Sequence, residues 1–275
     1  MSVLLSALSA LCYGAGDYIG GRATRQSRVF SILLLSQFVG LVGILIAAPL
    51  FGGAVVRPED LLWGAAAGAS GVLGLALLYR ALATSVAAIA SPLAALVGAA
   101  APVIVGAATG EQPGLTGWLG IGIAIPAVFM LTAQRRAGEN PERAVIYGFL
   151  AGLGFGGFFV FIAQSSPDSG LWALAGSKVA GMTLSVAIHA ATRTKLHVAR
   201  SARVPAIAAG LLDMAANVFF LLASRIGLLA VTGVISSLYP APTVMLAAVI
   251  DRQKLTALRI AGLVLAIAGV SLMTA

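Results

Sequence analysis

The chain is 275 residues long, and 60% of its residues are hydrophobic while 9% are charged. Soluble globular domains carry about 25% charged residues, so this composition excludes an ordinary soluble domain and indicates a protein solvated by lipid. The formal net charge of +8 does not indicate nucleic acid binding, because the basic residues fall in short segments between apolar runs. The single cysteine, Cys12, excludes a disulfide framework within this chain.

Ten apolar spans follow one another along the chain. The longest charge-free runs exceed the ~20 residues that a helix needs to cross a bilayer. No basic residue precedes the first run, so we interpret it as a helix and not as a cleaved signal. In chain order the spans are predicted at 2–20, 30–51, 61–79, 84–108, 114–133, 144–164, 171–191, 204–223, 227–250 and 255–274.

The two halves of the chain resemble each other. The charged segment 134–143 separates five spans from five, which predicts one repeat at 1–135 and a second at 141–275. At an offset of about 140 residues several positions match: Pro102 with Pro242, Glu111 with Asp251, Leu115-Thr116 with Leu255-Thr256, Gly122 with Gly262 and, after a small shift, Gly68 with Gly210. Because five is odd, the second half must be inverted. The predicted fold is an all-α integral membrane protein with ten transmembrane helices in two inverted five-helix repeats.

The fourth span of each half contains prolines. Ser91-Pro92 and Pro102 lie in the first half, and Tyr239-Pro240-Ala241-Pro242 lies in the second. Proline removes a backbone donor, so we expect these helices to bend or break where they line a cavity.

The basic residues are distributed unevenly between the two predicted membrane faces. Arg57 and Arg225 are alone on one face. An excess of Lys and Arg marks cytoplasmic loops, so the richer face is predicted to be cytoplasmic, with both termini outside a plasma membrane. The richer face carries Arg22, Arg25, Arg28, Arg80, Arg135, Arg136, Arg143, Arg193, Lys195, Arg200, Arg203, Arg252, Lys254 and Arg259.

Several stretches resemble one family of membrane proteins. They are ISSLYPAPTVMLA at 235–247 followed by Asp251-Arg252, LYRAL at 78–82, SPLAA at 91–95 and GLLDMAAN at 210–217, together with Pro102 and Glu111. This pattern resembles the EamA branch of the drug/metabolite transporter superfamily over nearly the whole chain. The chain departs from it at Tyr13, where Trp is common, at Asp251, where Glu is usual, and at Gln37, where Arg is frequent. The resemblance implies a ten-helix exporter or permease. It also implies cytoplasmic termini, but our orientation follows the charge distribution.

Three ionisable residues lie inside predicted spans: Asp17, Lys178 and Asp213. Charges are costly in a bilayer and usually face a cavity or a partner. Lys178 corresponds to Gln37 at the repeat offset, so a pair of polar side chains from the two second helices would hold a substrate carboxylate. The alternatives are a Lys178 that reaches the membrane surface or pairs permanently with Asp213.

The other candidate binding residues are polar groups on the third, fourth, eighth and ninth spans. Asp213 and Asn217 are four residues apart and share one helix face, where they would bind a proton or an amine or act as a packing pair. Asp213 and Asp17 are the candidate proton-coupling residues. Hydroxyls that would bind polar cargo, or would only bond their own helix, are Tyr79, Ser91, Ser236, Ser237, Tyr239 and Thr243.

The sequence favours a secondary active transporter that moves small polar or amphipathic metabolites, such as amino acids, by alternating access, with proton coupling. Enzyme motifs, cofactor motifs and metal-ligand spacing are not found in the sequence. The expected partners are a small-molecule substrate and the lipid bilayer, as a monomer or homodimer. The alternative is a membrane scaffold or membrane enzyme that uses the same bundle. Cargo, direction and coupling ion do not follow from the residues.

Overall fold

The computed structural model describes residues 1–50, 55–83, 87–133, 141–192 and 196–274, and these residues are almost entirely helical. A 3-10 turn at Pro167–Ser169 precedes α7. The helices are α1 (Ser2–Thr24), α2 (Val29–Leu50), α3 (Pro58–Ala83), α4 (Ala87–Ala108), α5 (Gly114–Thr132), α6 (Pro141–Ala163), α7 (Trp172–Thr192), α8 (Arg200–Ile226), α9 (Leu229–Ser237), α10 (Pro240–Ile250) and α11 (Ala257–Thr274).

Together α9 and α10 form one span, so the described chain makes ten crossings, as predicted. Nine spans among the described residues are long and apolar enough to cross a bilayer by themselves. The exception is α7, which contains the buried Lys178 and packs against α2 and α3. Large apolar side chains such as Leu62, Ile104 and Val249 are exposed on the outside of the bundle, as expected for a surface in contact with lipid.

The two halves pack with twofold related contacts. The first helix of each half packs on the third helix of the other, as α1 does on α8 and α3 on α6. The second, fourth and fifth helices each meet their own counterparts, in the pairs α2 with α7, α4 with α9, and α5 with α11. In α5 and α11, Gly120 lies against Gly269 while Gly262 lies against Ala127, so the two helices run antiparallel. Gly40 beside Lys178 with Gly181 beside Gln37, and Gly106 beside Ala230 with Gly233 beside Pro102, show the same for the other two pairs. The second half is therefore inverted relative to the first.

Gly68 and Gly210 occupy equivalent helix crossings. A Cβ on Gly68 would lie 2.0 Å from the carbonyl oxygen of Ser177, and a Cβ on Gly210 would lie 2.5 Å from that of Ser36. Helices in lipid pack by close backbone approach, and only glycine permits it at these points. The sequence match of the two glycines thus reports a shared packing role.

Gly68→Ala is expected to destabilise the protein by about 1–3 kcal/mol, because the added methyl group collides with backbone that cannot rotate away. The measurement is thermal unfolding of the purified protein in detergent. Gly122→Ala is the matched control, since a Cβ there meets nothing within 4 Å. Equal unfolding temperatures for the two variants would contradict the packing role.

The predicted proline break occurs in one half of the protein. A turn at Leu238 and Tyr239 separates the two helices, and Pro240 becomes the first residue of α10, where its missing N–H costs nothing. In contrast, α4 continues through Pro92 and Pro102 without interruption. Pro102 packs directly against Gly233 of α9, where an added Cβ would lie 2.4 Å from it.

We name the two ends of the bundle by their charge. The basic end carries Arg22 at the end of α1, Arg80 near the end of α3 and Arg200 at the start of α8. The opposite end carries Arg57 and Arg225, together with the loop between α4 and α5. The helix directions place Ser2 and Thr274 at the opposite end.

Candidate substrate site

A cavity of about 230 Å³ lies between the two halves, near the basic end. It reaches Thr132, the last residue of α5, and Asp17 of α1 is exposed within it although it belongs to a membrane-spanning helix. The lining is otherwise uncharged. Its polar and aromatic members are Asp17, Ser91, Thr132, Phe155, Tyr239 and Thr243.

The break between α9 and α10 positions two of these side chains. Tyr239 lies at the break, and Thr243 follows one turn later in α10. The Thr243 hydroxyl donates to the carbonyl oxygens of Gly14 and Tyr239, at 3.0 Å each. Gly14 allows α10 to approach α1, because a Cβ there would lie 2.5 Å from Pro242 Cγ. The broken span is therefore fixed against α1 beside the cavity.

Polar side chains form a continuous chain from α7 to α1. Lys178 Nζ forms an ion pair with Asp213 Oδ2. Asn217 Nδ2 donates to Asp213 Oδ2 at 3.2 Å and to the Asp213 carbonyl at 2.6 Å, and the Tyr13 hydroxyl donates to Asn217 Oδ1 at 2.7 Å. The Tyr13 ring lies edge-on to Tyr239, with centroids 6.1 Å apart. The chain of contacts thus links the ion pair to the cavity wall.

The charges next to this chain are also arranged asymmetrically. The carboxylate of Asp17 is within electrostatic reach of Asp213, and the two repel each other. No ion pair or hydrogen bond to Asp17 occurs among the described residues, whereas Asp213 is held by Lys178. Asp17 is therefore the carboxyl group that faces the cavity without a partner among the described residues.

Gln37, Ser236 and Ser237 do not line the cavity. Gln37 lies at the crossing of α2 and α7, where its Nε2 is 3.5 Å from the Cβ position of Gly181. Ser236 and Ser237 are buried in α9, and Ser237 donates to its own helix at Gly233. Tyr79 belongs to α3, but its side chain is outside the described part of the structure.

Four further residues, which line the cavity, lie next to it or bind the two halves together, were not identified as candidates from the sequence. Tyr13, noted only as a departure from the family pattern, lies one turn before Asp17 on the same face of α1, a spacing that marks it as a neighbour of the carboxylate. Neither Phe155 nor Thr132 has a distinctive spacing in the sequence. Glu111 was recognised as a position that matches Asp251 in the repeat, but the sequence predicted no binding partner for it.

The opposite end of the bundle is sealed by contacts between the halves. Both carboxylate oxygens of Glu111 accept backbone N–H groups at the start of α9, from Leu229 at 2.6 Å and from Ala230 at 2.9 Å. An acidic group is stabilised there by the unpaired N–H groups and the dipole of the helix. Arg225 and Asp60 reinforce this end by binding the backbone around Ser166.

Asp251, the repeat counterpart of Glu111, makes different contacts at the basic end. Its Oδ1 accepts from Arg22 at 2.9 Å, while its buried Oδ2 has no hydrogen-bond partner among the described residues. At the repeat offset, Leu229 and Ala230 correspond to Ile89 and Ala90 near the start of α4. Glu111 and Asp251 thus occupy equivalent positions in two different bonding states.

A larger recess of about 610 Å³ lies outside the bundle. It is lined by the loop between α1 and α2 and by Leu196 and His197 before α8. This recess shares no lining residue with the smaller cavity between the halves. The smaller cavity contains Asp17 and residues of the broken ninth span, so it is the candidate site.

Ten spans in two inverted halves, enclosing a polar cavity sealed at one end, define the architecture of membrane carriers. The sequence profile of the EamA-like transporter family matches residues 1–133 and again residues 142–275. The chain therefore belongs to the EamA-like transporter family, and it is a membrane transporter or permease of the drug/metabolite transporter superfamily.

The fold is also found among solved structures. A structure titled "Crystal structure of protein" is similar over 99% of this chain and 96% of its own, with a TM-score of 0.80 and 18% identity. At that identity the likeness concerns the fold alone. A search of curated proteins gives no match.

Proposed function

We propose that the protein is a proton-coupled secondary carrier that exports small amphipathic metabolites across the plasma membrane by alternating access. The observation that carries this proposal is the asymmetry of the two ends: Glu111 binds both halves together at one end, while the cavity reaches the other end. With the basic end in the cytoplasm and both termini outside, this arrangement is the inward-facing state of the carrier.

The equivalent positions of Glu111 and Asp251 suggest how the carrier changes state. In inverted repeats, one state converts to the other when the halves exchange their conformations. Asp251 then accepts the first N–H groups of α4 and closes the basic end, while Glu111 releases α9 and opens the opposite end. The unpartnered Oδ2 of Asp251 supports this exchange, because it is an acceptor that still lacks a donor.

Asp17 is the proton-exchanging residue in this proposal. It faces the cavity without a partner among the described residues, whereas Asp213, the other candidate, is engaged by Lys178. A carboxylate that alternately binds a proton and a substrate couples the two fluxes, since both cannot occupy it at once. Asp213 favours proton binding by Asp17, because its carboxylate repels a negative charge on Asp17.

Asp17→Asn is expected to abolish accumulation driven by a pH gradient, because an amide cannot exchange protons at this site. The measurement is uptake into proteoliposomes of a substrate found by counterflow, using a panel of amino acids, amines, sugars and nucleosides. Glu142→Gln, an exposed substitution at the basic end, is the control with unchanged uptake. Gradient-driven accumulation by Asp17→Asn would overturn the coupling, and absence of saturable counterflow across the panel would favour a scaffold.

A further inference from the structure

We propose that the substrate is a small amphipathic cation, a protonated amine with an apolar body, whose ammonium group binds Asp17. This inference rests on the proposed transport function and names the chemical class of its cargo. It contrasts with a substrate held by its carboxylate on Lys178, since Lys178 is buried, pairs with Asp213 and does not line the cavity.

The charge in the cavity selects for a cation. Asp17 is the charged member of the lining, while Lys178 pairs with Asp213 and Arg22 pairs with Asp251. An unneutralised carboxylate next to apolar walls attracts a positive group strongly and repels an anion, because screening by water is weak there.

Two of the hydroxyl groups in the cavity, those of Thr132 and Thr243, present acceptors to a ligand because their protons are already donated. The Thr132 hydroxyl donates its proton to the Val128 carbonyl at 2.8 Å, and the Thr243 hydroxyl donates to Gly14 and Tyr239. Each hydroxyl oxygen keeps lone pairs that can accept a hydrogen bond. Together with the Asp17 carboxylate, these oxygens match the three donors of an ammonium group, which has no acceptor of its own.

The remaining walls suit a compact apolar body. The rings of Phe155 and Tyr239 contribute aromatic surface, and Leu78, Ala94 and Val244 contribute aliphatic surface. Aromatic faces also attract cations. The cavity volume of about 230 Å³ accommodates about eight non-hydrogen atoms, because a water molecule occupies ~30 Å³ in the liquid. Phenylethylamine is close to this size.

Equilibrium binding of three matched compounds tests the proposal: 2-phenylethylamine, neutral 2-phenylethanol and anionic phenylacetate. Isothermal titration calorimetry with the purified full-length protein at pH 7 is expected to show amine binding at least tenfold tighter than alcohol binding, with no binding of phenylacetate. Asp17→Asn is expected to reduce amine affinity at least tenfold and leave alcohol affinity unchanged, whereas Asp17→Glu retains the preference for the amine.

Several results would overturn the proposal: tighter binding of phenylacetate, no binding of the amine, or an amine preference that survives Asp17→Asn. Asp168→Asn removes an exposed carboxylate at the opposite end and is the control with unchanged selectivity. Thermal unfolding of each variant establishes that it is folded before titration. Because the assay measures equilibrium binding, a loss of charge selectivity is distinguishable from a failure of transport, which counterflow reports separately.

Discussion

Glu111→Ala is expected to shift the carrier strongly toward the state that is open at the opposite end. The Glu111 carboxylate accepts two hydrogen bonds from the start of α9, at 2.6 and 2.9 Å. A hydrogen bond to a charged group contributes about 1.5–3 kcal/mol, so the loss of both removes about 3 kcal/mol or more from the closed end. Since every 1.4 kcal/mol is a factor of ten, the ratio of the two states changes by more than about a hundredfold.

Cysteine labelling measures this shift. Ala230 is fully buried beside Gly106 in the sealed end, and Cys12 is the single native cysteine. In a Cys12→Ala background, Ala230→Cys is expected to resist a membrane-impermeant maleimide when Glu111 is present and to react when Glu111 is replaced by Ala. Thr109→Cys, in the exposed turn after α4, is the reference that reacts in both cases.

Asp168→Asn is the matched control for Glu111. Asp168 also binds across the sealed end, to Arg57 at 2.9 Å, but both side chains are about half exposed. An exposed ion pair contributes about 0–1 kcal/mol, so its loss is expected to leave the labelling of Ala230→Cys unchanged. Equal labelling of the Glu111→Ala and Asp168→Asn proteins would contradict the role of Glu111 as the closing contact.

Asp213→Asn is expected to destabilise the fold by about 3–5 kcal/mol, because it leaves the ammonium group of Lys178 buried without a counter-charge. The Lys178 side chain is 7% exposed, whereas that of Asp213 is 43% exposed. Lys178→Met is therefore expected to cost less, since the Asp213 carboxylate that remains can be hydrated. The double variant Lys178→Met/Asp213→Asn is expected to recover most of the stability lost in Asp213→Asn.

Unfolding of the four proteins in detergent, analysed as a double-mutant cycle, measures this coupling. Arg57→Met and Asp168→Asn form the control cycle on an exposed pair, with an expected coupling below about 1 kcal/mol. Transport by the double variant separates the two interpretations of Asp213. Restored stability with restored gradient-driven uptake means that the pair is structural, and restored stability without uptake means that Asp213 takes part in coupling.

The sequence was most informative where a single residue type is required by the membrane itself. The scarcity of charged residues predicted the ten spans, since few structures other than helices can cross a bilayer. Gly68 and Gly210 identified the repeat, because close backbone approach tolerates no side chain. The break in the ninth span followed from Pro240, yet the equally proline-rich α4 remains continuous. Proline shows where a helix is weakened, but the neighbouring packing decides whether it opens.

The sequence identified the ionisable candidate residues more reliably than the hydroxyl candidates, again because of the membrane. Asp17, Lys178 and Asp213 were recognisable because each is costly in lipid, and the structure pairs two of them and leaves Asp17 facing the cavity. Ser236 and Ser237 were indistinguishable by type from Thr243, since the direction of a hydroxyl depends on helix rotation. Helix rotation is set by contacts with distant segments, which no local pattern contains.

By itself, then, the sequence determined the membrane class, the duplicated and inverted halves, and the three ionisable residues inside the spans, because each follows from the cost of polar groups in hydrocarbon. Only the tertiary structure decided which charge is neutralised and which end of the bundle is sealed. Both depend on partners more than 30 residues apart, Lys178 with Asp213 and Glu111 with Leu229. The first pairing arises from the packing of two helices within the second half. The second arises from how the two halves dock, and the docking of inverted repeats has two alternative solutions.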